Sequence, residues 1–189
     1  MGHPSVKKAT QKYTWNDYLT WSAEERWEII DGVAYNMTPA PSVKHQIVAG
    51  NSFSQLKQKL ANRTCKPFIA PTDVILSEYD IVQPDVFVVC DKNKITEANI
   101  KGAPDLVVEI LSPSTALKDL REKKNLYEKF GVKEYIVIDP LEEYVERFWL
   151  GGDGIYNKGE VFGPQEVLPL KSLEGIEVNL WEVFEVKKA

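Results

Sequence analysis

The stretch PDLVVEILSPST, from Pro104 to Thr115, has a glutamate in the middle of an apolar run. Its leucine, valine and isoleucine residues are typical of a β-strand that is covered on both faces. An ionised carboxylate in such a strand carries a large desolvation cost, so Glu109 needs a cation, a hydrogen-bond network or a metal ion as its partner.

The segments around this stretch predict an α/β fold with one central mixed sheet. A helix is predicted from about Ala116 to Phe130, ended by Gly131, and the strand EYIVIDP follows at once. A strand, a helix and a strand within so few residues indicate a right-handed crossover, which makes the two strands parallel. Upstream, the segments KPFIAPTDVILS and IVQPDVFVVC predict two antiparallel strands.

Both ends of the chain add to this core. A short helix is predicted over residues 15–20 with Thr14 as its cap, followed by a hairpin that turns at Asp31-Gly32. A long helix is predicted from Val43 to Ala61, and the tail predicts at least one more strand and a short terminal element.

Composition indicates one ordinary globular domain over residues 1–189, with residues 1–12 as a leader that we expect to be disordered. The chain is 43% hydrophobic and 27% charged, and its formal net charge of −5 argues against coating nucleic acid by bulk electrostatics. No window has the length and apolarity of a membrane span, and the amino terminus lacks the apolar centre of a secretory signal. We therefore expect a cytoplasmic protein.

Cysteine and histidine usage narrows the kinds of metal site. Cys65 and Cys90 have no CxxC spacing, so we expect free buried thiols and neither a disulfide framework nor a zinc ribbon. With only His3 and His45 available, a histidine-rich zinc or iron site is poorly supported. A metal would be held mainly by carboxylate oxygens, which favours Mg²⁺ or Mn²⁺.

Two further charged residues stand where apolar ones are expected. On a helical wheel, Lys123 falls inside the apolar stripe of the predicted 116–130 helix. Asp85 shares a strand face with Phe87 and Val89. If that strand neighbours the one with Glu109, two acids and a lysine converge, and a divalent cation would relieve the repulsion between the acids. A purely structural Glu–Lys pair fits the same periodicity, which leaves both interpretations open.

Several motifs follow one another in a characteristic order. They are WEIIDG (27–32), His45, QPDV (83–86), GAPDLVVEILSPST (102–115), Asp119, Lys123, Tyr127, GVKEY (131–135), DP (139–140) and GIEVNLWEVF (175–184). This series resembles the Uma-type restriction-endonuclease-like proteins of the PD-(D/E)XK nuclease superfamily. The resemblance implies an αβββαβ core with a mixed central sheet flanked by helices, here with an N-terminal hairpin and C-terminal strands added.

The resemblance also implies roles for individual residues. Asp85 and Glu109 would be the metal ligands, while Leu111 stands where the plain superfamily pattern has its lysine. In the Uma-type variant that function is moved to the following helix, where Lys123 matches. Pro104-Asp105 is a second, decoy PD pair, and Asp105 is expected only to begin its strand.

Two more positions match the family, each with a structural alternative. Glu28 would provide a further metal or water contact, or would be an exposed hairpin carboxylate. His45 would belong to the site, or would be an imidazole at the core edge that is bonded to a backbone carbonyl.

The function that follows is a Mg²⁺- or Mn²⁺-dependent endonuclease that hydrolyses phosphodiester bonds, with DNA as substrate and a homodimer as the working unit. The basic residues Lys118, Arg121, Lys123 and Lys124 would extend its field toward a DNA backbone, or form a solvated helix face. The alternative is a catalytically inactive nuclease fold that binds nucleic acid or a protein partner. A third hypothesis, a serine–lysine hydrolase built on Ser114 or Thr115 with Lys118, leaves both buried acids unexplained.

Overall fold

The computed structural model describes residues 6–7, 11–22, 25–37, 40–113 and 115–188, so that most of the predicted leader and Ser114 lie outside the described part. In chain order the strands are β1 (Val6–Lys7), β2 (Trp27–Ile30), β3 (Val33–Asn36), β4 (Lys66–Ile69), β5 (Val74–Ser77), β6 (Asp80–Val82), β7 (Val86–Val89), β8 (Ile100–Lys101), β9 (Leu106–Ile110), β10 (Glu134–Asp139), β11 (Tyr144–Trp149), β12 (Glu160–Phe162), β13 (Val167–Pro169) and β14 (Glu177–Asn179).

The helices are fewer and shorter. They are α1 (Trp15–Tyr18), α2 (Val43–Lys59), α3 (Ala116–Lys118), α4 (Lys124–Lys129) and α5 (Leu180–Phe184), with a 3₁₀ turn at Lys92–Lys94 and a π-helical turn at Asp119–Lys123 between α3 and α4. Among the described residues, no helix combines the length and apolarity needed to cross a membrane. The capping box of Thr14 and Asp17 confirms the predicted start of α1.

The strand with Glu109 lies inside a six-stranded sheet of order β12-β11-β10-β9-β7-β4. β9 and β10 are parallel, which confirms the predicted crossover, and β7 pairs with β9 in antiparallel orientation. One face packs on α2 through side chains such as Val108 and Leu56, and the other packs on α4 through Val107 and Tyr127. Both faces of β9 are therefore covered, as its apolar composition predicts.

The predicted α/β fold with a mixed sheet flanked by helices is confirmed, but the strands do not form one sheet. The remaining described strands form a second six-stranded sheet, β1-β3-β2-β6-β5-β8, and the pair β13-β14. Both strands predicted over 66–77 and 81–90 are interrupted, near Pro71 and Pro84, and their halves belong to different sheets. Proline has no amide hydrogen for a ladder and breaks the pairing there. As a result, Asp85 stands where the chain enters the sheet that contains Glu109.

The predicted hairpin turns at Asp31 and Gly32, whose φ angles of 48° and 76° are of the kind that a tight turn needs. The expectation of free thiols is wrong, since Cys65 and Cys90 form a disulfide. Antiparallel pairing of Lys66 with Val89 brings these flanking cysteines opposite each other across 25 residues of sequence. The CxxC rule considers only cysteines that are close in sequence, so it does not detect two cysteines that strand pairing brings together.

Candidate active site

Asp85 and Glu109 face each other across two neighbouring strands. Val86 of β7 pairs with Val108 of β9, so the antiparallel register places the residue before Val86 opposite the residue after Val108. Directly opposed residues of an antiparallel pair lie on one face, with Cβ atoms about 5 Å apart. The main-chain N–H of Ile110 donates to Asp85 Oδ2 at 2.8 Å, which fixes this carboxylate against β9.

Glu109 is 2% exposed and receives two hydrogen bonds on the same oxygen. Lys123 Nζ donates to Glu109 Oε1 at 2.8 Å, and the Tyr127 hydroxyl donates to it at 2.7 Å. Neither donor is bonded to Oε2. Burial is the main cause that raises the pKa of Glu109, and nearby carboxylates add to it, so the pKa reaches about 8 despite the ammonium group of Lys123.

Glu28 is fully buried between two lysines, so the alternative of an exposed hairpin carboxylate is wrong. Its Oε2 lies 2.6 Å from Lys118 Nζ, and its Oε1 lies 2.8 Å from Lys123 Nζ. The main-chain N–H of Gln83 also donates to Oε1 at 3.0 Å. Burial alone would raise the pKa of Glu28, but the two ammonium groups outweigh it and lower the pKa to about 2.

The π-helical turn explains how two lysines five positions apart reach one carboxylate. In an α-helix, residues five apart are separated by about 140° around the axis. The π-helical turn at Asp119–Lys123 has i to i+5 hydrogen bonding, which brings Lys118 and Lys123 onto the same side. Both are buried, as is Asp119, whose Oδ1 lies 3.7 Å from Lys123 Nζ. A uniform helical wheel predicts the burial of Lys123 but not that of Lys118.

His45, near the start of α2, contacts the carboxylate of Asp85. Its Nε2 lies 3.2 Å from Asp85 Oδ2, and its buried Nδ1 has no hydrogen-bond partner among the described residues. Burial lowers the pKa of His45, but the hydrogen bond and the charge of Asp85 raise it by more, and the Ile110 backbone adds to the increase. His45 therefore belongs to the Asp85 pocket, and its partner is a carboxylate.

The cluster as a whole has more acids than bases. Four carboxylates face two ammonium groups, which leaves an excess of two negative charges before the imidazole of His45 is counted. Such a surplus attracts a divalent cation, and the neighbouring carboxylates add to the rise of the Glu109 pKa that burial mainly causes. The members are Glu28, Asp85, Glu109, Asp119, Lys118 and Lys123.

The donor set fits a metal that needs few protein ligands. Across the described ranges, no group of three or more His, Cys, Asp or Glu side chains is arranged to hold an ion. Mg²⁺ often uses only one or two carboxylates and keeps several waters or substrate oxygens. Asp85 and Glu109 satisfy this smaller requirement, since each has an oxygen that the donors described above do not contact.

The remaining candidate residues lie outside this site or are bonded to groups other than those that the sequence suggested. Asp105 accepts from the Cys90 N–H at 2.7 Å and pairs with Lys133, as expected for a residue that only begins its strand. Lys118 is bonded to Glu28, so it is not available to activate Thr115. The supposed basic surface run is also reduced, because Lys118 and Lys123 point into the cluster.

Sequence reasoning did not place three contributors in the acidic cluster. Tyr127 binds Glu109, Asp119 lies beside Lys123, and Lys118 binds Glu28. The helical wheel that places Lys123 inward also places Tyr127 inward. An inward tyrosine hydroxyl needs a hydrogen-bond partner, so the sequence could have predicted its contact with Glu109. No local signal indicates Lys118, because its inward position depends on the π-helical turn.

Comparisons with known proteins identify the family and the fold of this chain. Residues 15–181 match the family model described as "Uma2: Putative restriction endonuclease". An uncharacterized protein of Synechocystis sp. is 27% identical over 144 residues, which cover 73% of this chain and 74% of the relative. A crystal structure from Anabaena variabilis, described as "a putative nuclease belonging to DUF820", superposes with a TM-score of 0.75 at 21% identity. The match covers 91% of this chain and 97% of that one. This likeness shows a shared fold.

Proposed function

This chain belongs to the Uma2 family, and from that membership and the buried acidic cluster we propose that it is a metal-dependent endonuclease that hydrolyses phosphodiester bonds in DNA. The single observation that carries the proposal is that Asp85 and Glu109 lie opposite each other in the register of β7 and β9, with Lys123 bonded to Glu109. Two opposed carboxylates and a lysine are the groups that phosphodiester hydrolysis requires for holding a hard cation and stabilising negative charge.

Asp85 and Glu109 would hold the cation, which is Mg²⁺ or Mn²⁺ because both ions prefer oxygen ligands. When bound, such an ion supplies positive charge that polarises the phosphate and lowers the pKa of a water molecule. The Ile110 N–H holds Asp85 in place, so this carboxylate needs little rearrangement to accept a ligand.

Lys123 is the residue that we assign to charge stabilisation or to orienting the attacking water. Its ammonium group is held 2.8 Å from both Glu28 and Glu109, which keeps it charged and fixed beside the acidic pair. Its pKa is raised well above the ordinary value, because these acids outweigh the effect of burial. Glu28 and Lys118 act as positioning residues, since they reach the site only through Lys123 and through each other.

His45 is assigned to the Asp85 side of the site. A raised pKa keeps its imidazole positively charged beside Asp85 over a wider pH range than usual. From this place it orients the carboxylate, and it can pass a proton to a group that leaves the phosphate.

The test is cleavage of supercoiled plasmid and of branched DNA by the purified chain in Mg²⁺, Mn²⁺ or EDTA. We expect cleavage that EDTA abolishes and that Glu109→Gln reduces by about a hundredfold or more. Glu122→Gln, which neutralises an exposed carboxylate on the π-helical turn, is the matched control and should cleave like the wild type. Equal activity in Glu109→Gln would remove this residue from the chemistry.

A second candidate, an inactive nuclease fold that binds DNA or a protein, is favoured by two observations. In the described part of the chain no three-residue ligand group is formed, and Lys123 already neutralises part of the acidic charge. This candidate predicts retention of DNA without turnover and no calorimetric signal with Mg²⁺ or Mn²⁺. A metal-dependent cleavage signal that Glu109→Gln removes would exclude it.

A two-fold dimer and a cytoplasmic location complete the proposal. Two copies related by a two-fold axis would present one site to each strand of a duplex. Light scattering of the purified chain with and without duplex DNA tests the dimer.

A further inference from the structure

A cavity lies on the other side of Gln83, the residue whose main-chain N–H donates to Glu28. This cavity of about 370 Å³ is bounded by strand ends of both six-stranded sheets and by the turn before β8. Its volume is within the range of small-molecule pockets. Its wall includes one aromatic ring and several polar side chains, which are Phe68, Asp73, Gln83, Thr96, Glu97 and Asn99.

Asp73 is held in a fixed orientation at this wall. The Tyr18 hydroxyl and Gln83 Nε2 both donate to Asp73 Oδ1, at 3.0 and 2.8 Å. Arg26 donates twice to Gln83 Oε1, which fixes the amide so that its NH₂ group must face Asp73. Neither donor is bonded to Asp73 Oδ2. The carboxylate is therefore preorganised, with one oxygen in use and a second that these donors leave as an acceptor.

The turn on the opposite side of the cavity is also held in place by hydrogen bonds. Thr96 and Asn99 close a turn through a main-chain hydrogen bond of 3.0 Å and a side-chain bond from the Thr96 hydroxyl to the Asn99 carbonyl of 2.8 Å. Ile95 and Ile100 bridge at the base of this turn. Glu97 stands within the turn and adds a second carboxylate to the wall.

These features select the chemistry of an occupant. Two carboxylates repel a phosphate group and favour a ligand that carries hydrogen-bond donors. The Asp73 Oδ2 atom has two lone pairs, so it can accept from two adjacent N–H donors on one planar group. The guanine base presents such a pair, N1–H and the 2-amino group, on its Watson–Crick edge, whereas the same edge of adenine presents a single donor group.

We propose that this cavity binds an unpaired guanine base of the nucleic acid substrate, with Asp73 accepting from its Watson–Crick edge. The inference rests on the proposed nuclease function for the identity of the ligand. Phe68, whose ring stacks on Phe87 at 5.2 Å, adds an aromatic surface of the kind on which bases pack. A base taken out of the stack exposes this edge without competition from a complementary strand.

Gln83 links the base site to the cleavage site. Its side chain lines the cavity, while its main-chain N–H donates to Glu28 of the acidic cluster. It precedes Asp85 by two residues. A base held in the cavity would therefore help to position the same nucleic acid strand relative to Asp85 and Glu109.

The experiment measures binding in EDTA, so that it does not depend on cleavage. Ligand-observed NMR titrations compare deoxyguanosine with deoxyinosine, which lacks the 2-amino group, and with deoxyadenosine, thymidine and agmatine. We expect the wild type to bind deoxyguanosine about tenfold more tightly than deoxyinosine, and Asp73→Asn to lose this preference. Glu78→Gln, which neutralises an exposed carboxylate in the β5–β6 turn, should bind like the wild type.

The outcomes separate this inference from the nuclease proposal. Metal-dependent cleavage without a deoxyguanosine preference would overturn the base site and leave the nuclease proposal intact. Deoxyguanosine binding without cleavage would support the base site and count against the nuclease. Binding of agmatine alone would overturn the base site. The inosine comparison needs no variant, so it decides the question even if Asp73→Asn does not fold.

Discussion

Lys123 Nζ lies 2.8 Å from Glu109 Oε1, so a lysine of the crossover helix and an acid of the central strand form one buried ion pair. The same ammonium group also contacts Glu28 from the N-terminal hairpin. The Lys123 ammonium group thus joins the crossover helix, the central strand and the N-terminal hairpin at the proposed catalytic site.

Removing this ammonium group should both destabilise the fold and stop cleavage. Lys123→Met leaves the buried carboxylates of Glu28, Glu109 and Asp119 with fewer partners, and we expect a loss of about 3 to 5 kcal/mol in the free energy of unfolding. Lys124→Met is the matched control, because Lys124 is half-buried over the Phe148 ring at 3.6 Å and should cost about 1 kcal/mol. Urea denaturation of both variants measures the difference, and equal losses would contradict the central role of Lys123.

Ionisation of Glu28 should make the free energy of unfolding depend on pH in the acidic range. Its pKa is about 2 in the folded chain, against an ordinary value of 4.5. Between these values the unfolded chain binds more protons, so the stabilisation by ionised Glu28 is complete above pH 4.5 and is lost as pH falls toward 2. We expect the unfolding free energy of the wild type to fall more steeply over this interval than that of Glu28→Gln. Urea titrations at several pH values measure both slopes, and parallel curves would refute the assignment.

The two PD aspartates should respond differently to substitution. Asp85→Asn should weaken Mg²⁺ or Mn²⁺ binding by tenfold or more, measured by calorimetry. Asp105→Asn should instead lower stability, because its carboxylate accepts from Cys90 and pairs with Lys133. Its metal affinity should match the wild type. Unchanged affinity in Asp85→Asn would place the metal elsewhere.

The disulfide should stabilise the sheet edge at β4 and β7. Loop-closure entropy for a bridge across 25 residues predicts a contribution of roughly 3 kcal/mol. We expect Cys65→Ser to lower the unfolding free energy by this amount, and a reducing agent to destabilise the wild type but not the variant. Identical denaturation curves with and without reductant in the wild type would show that the bond does not contribute.

The sequence by itself determined the central β9–helix–β10 crossover and the burial of Glu109 and Lys123. Strand alternation and helical periodicity are local properties, and they report which side chains face a core. The order of motifs also indicated Asp85 as the acid on a neighbouring strand, and strand pairing agrees with this position.

Only the tertiary structure decided which groups meet. Glu28 is 90 residues from Lys118, and the two prolines that divide the 66–89 strands send their halves to different sheets. The disulfide follows from strand register, and the inward position of Lys118 follows from the π-helical turn. Periodicity assigns a residue to a face, but convergence depends on register and helix winding, which are set by packing across the whole fold.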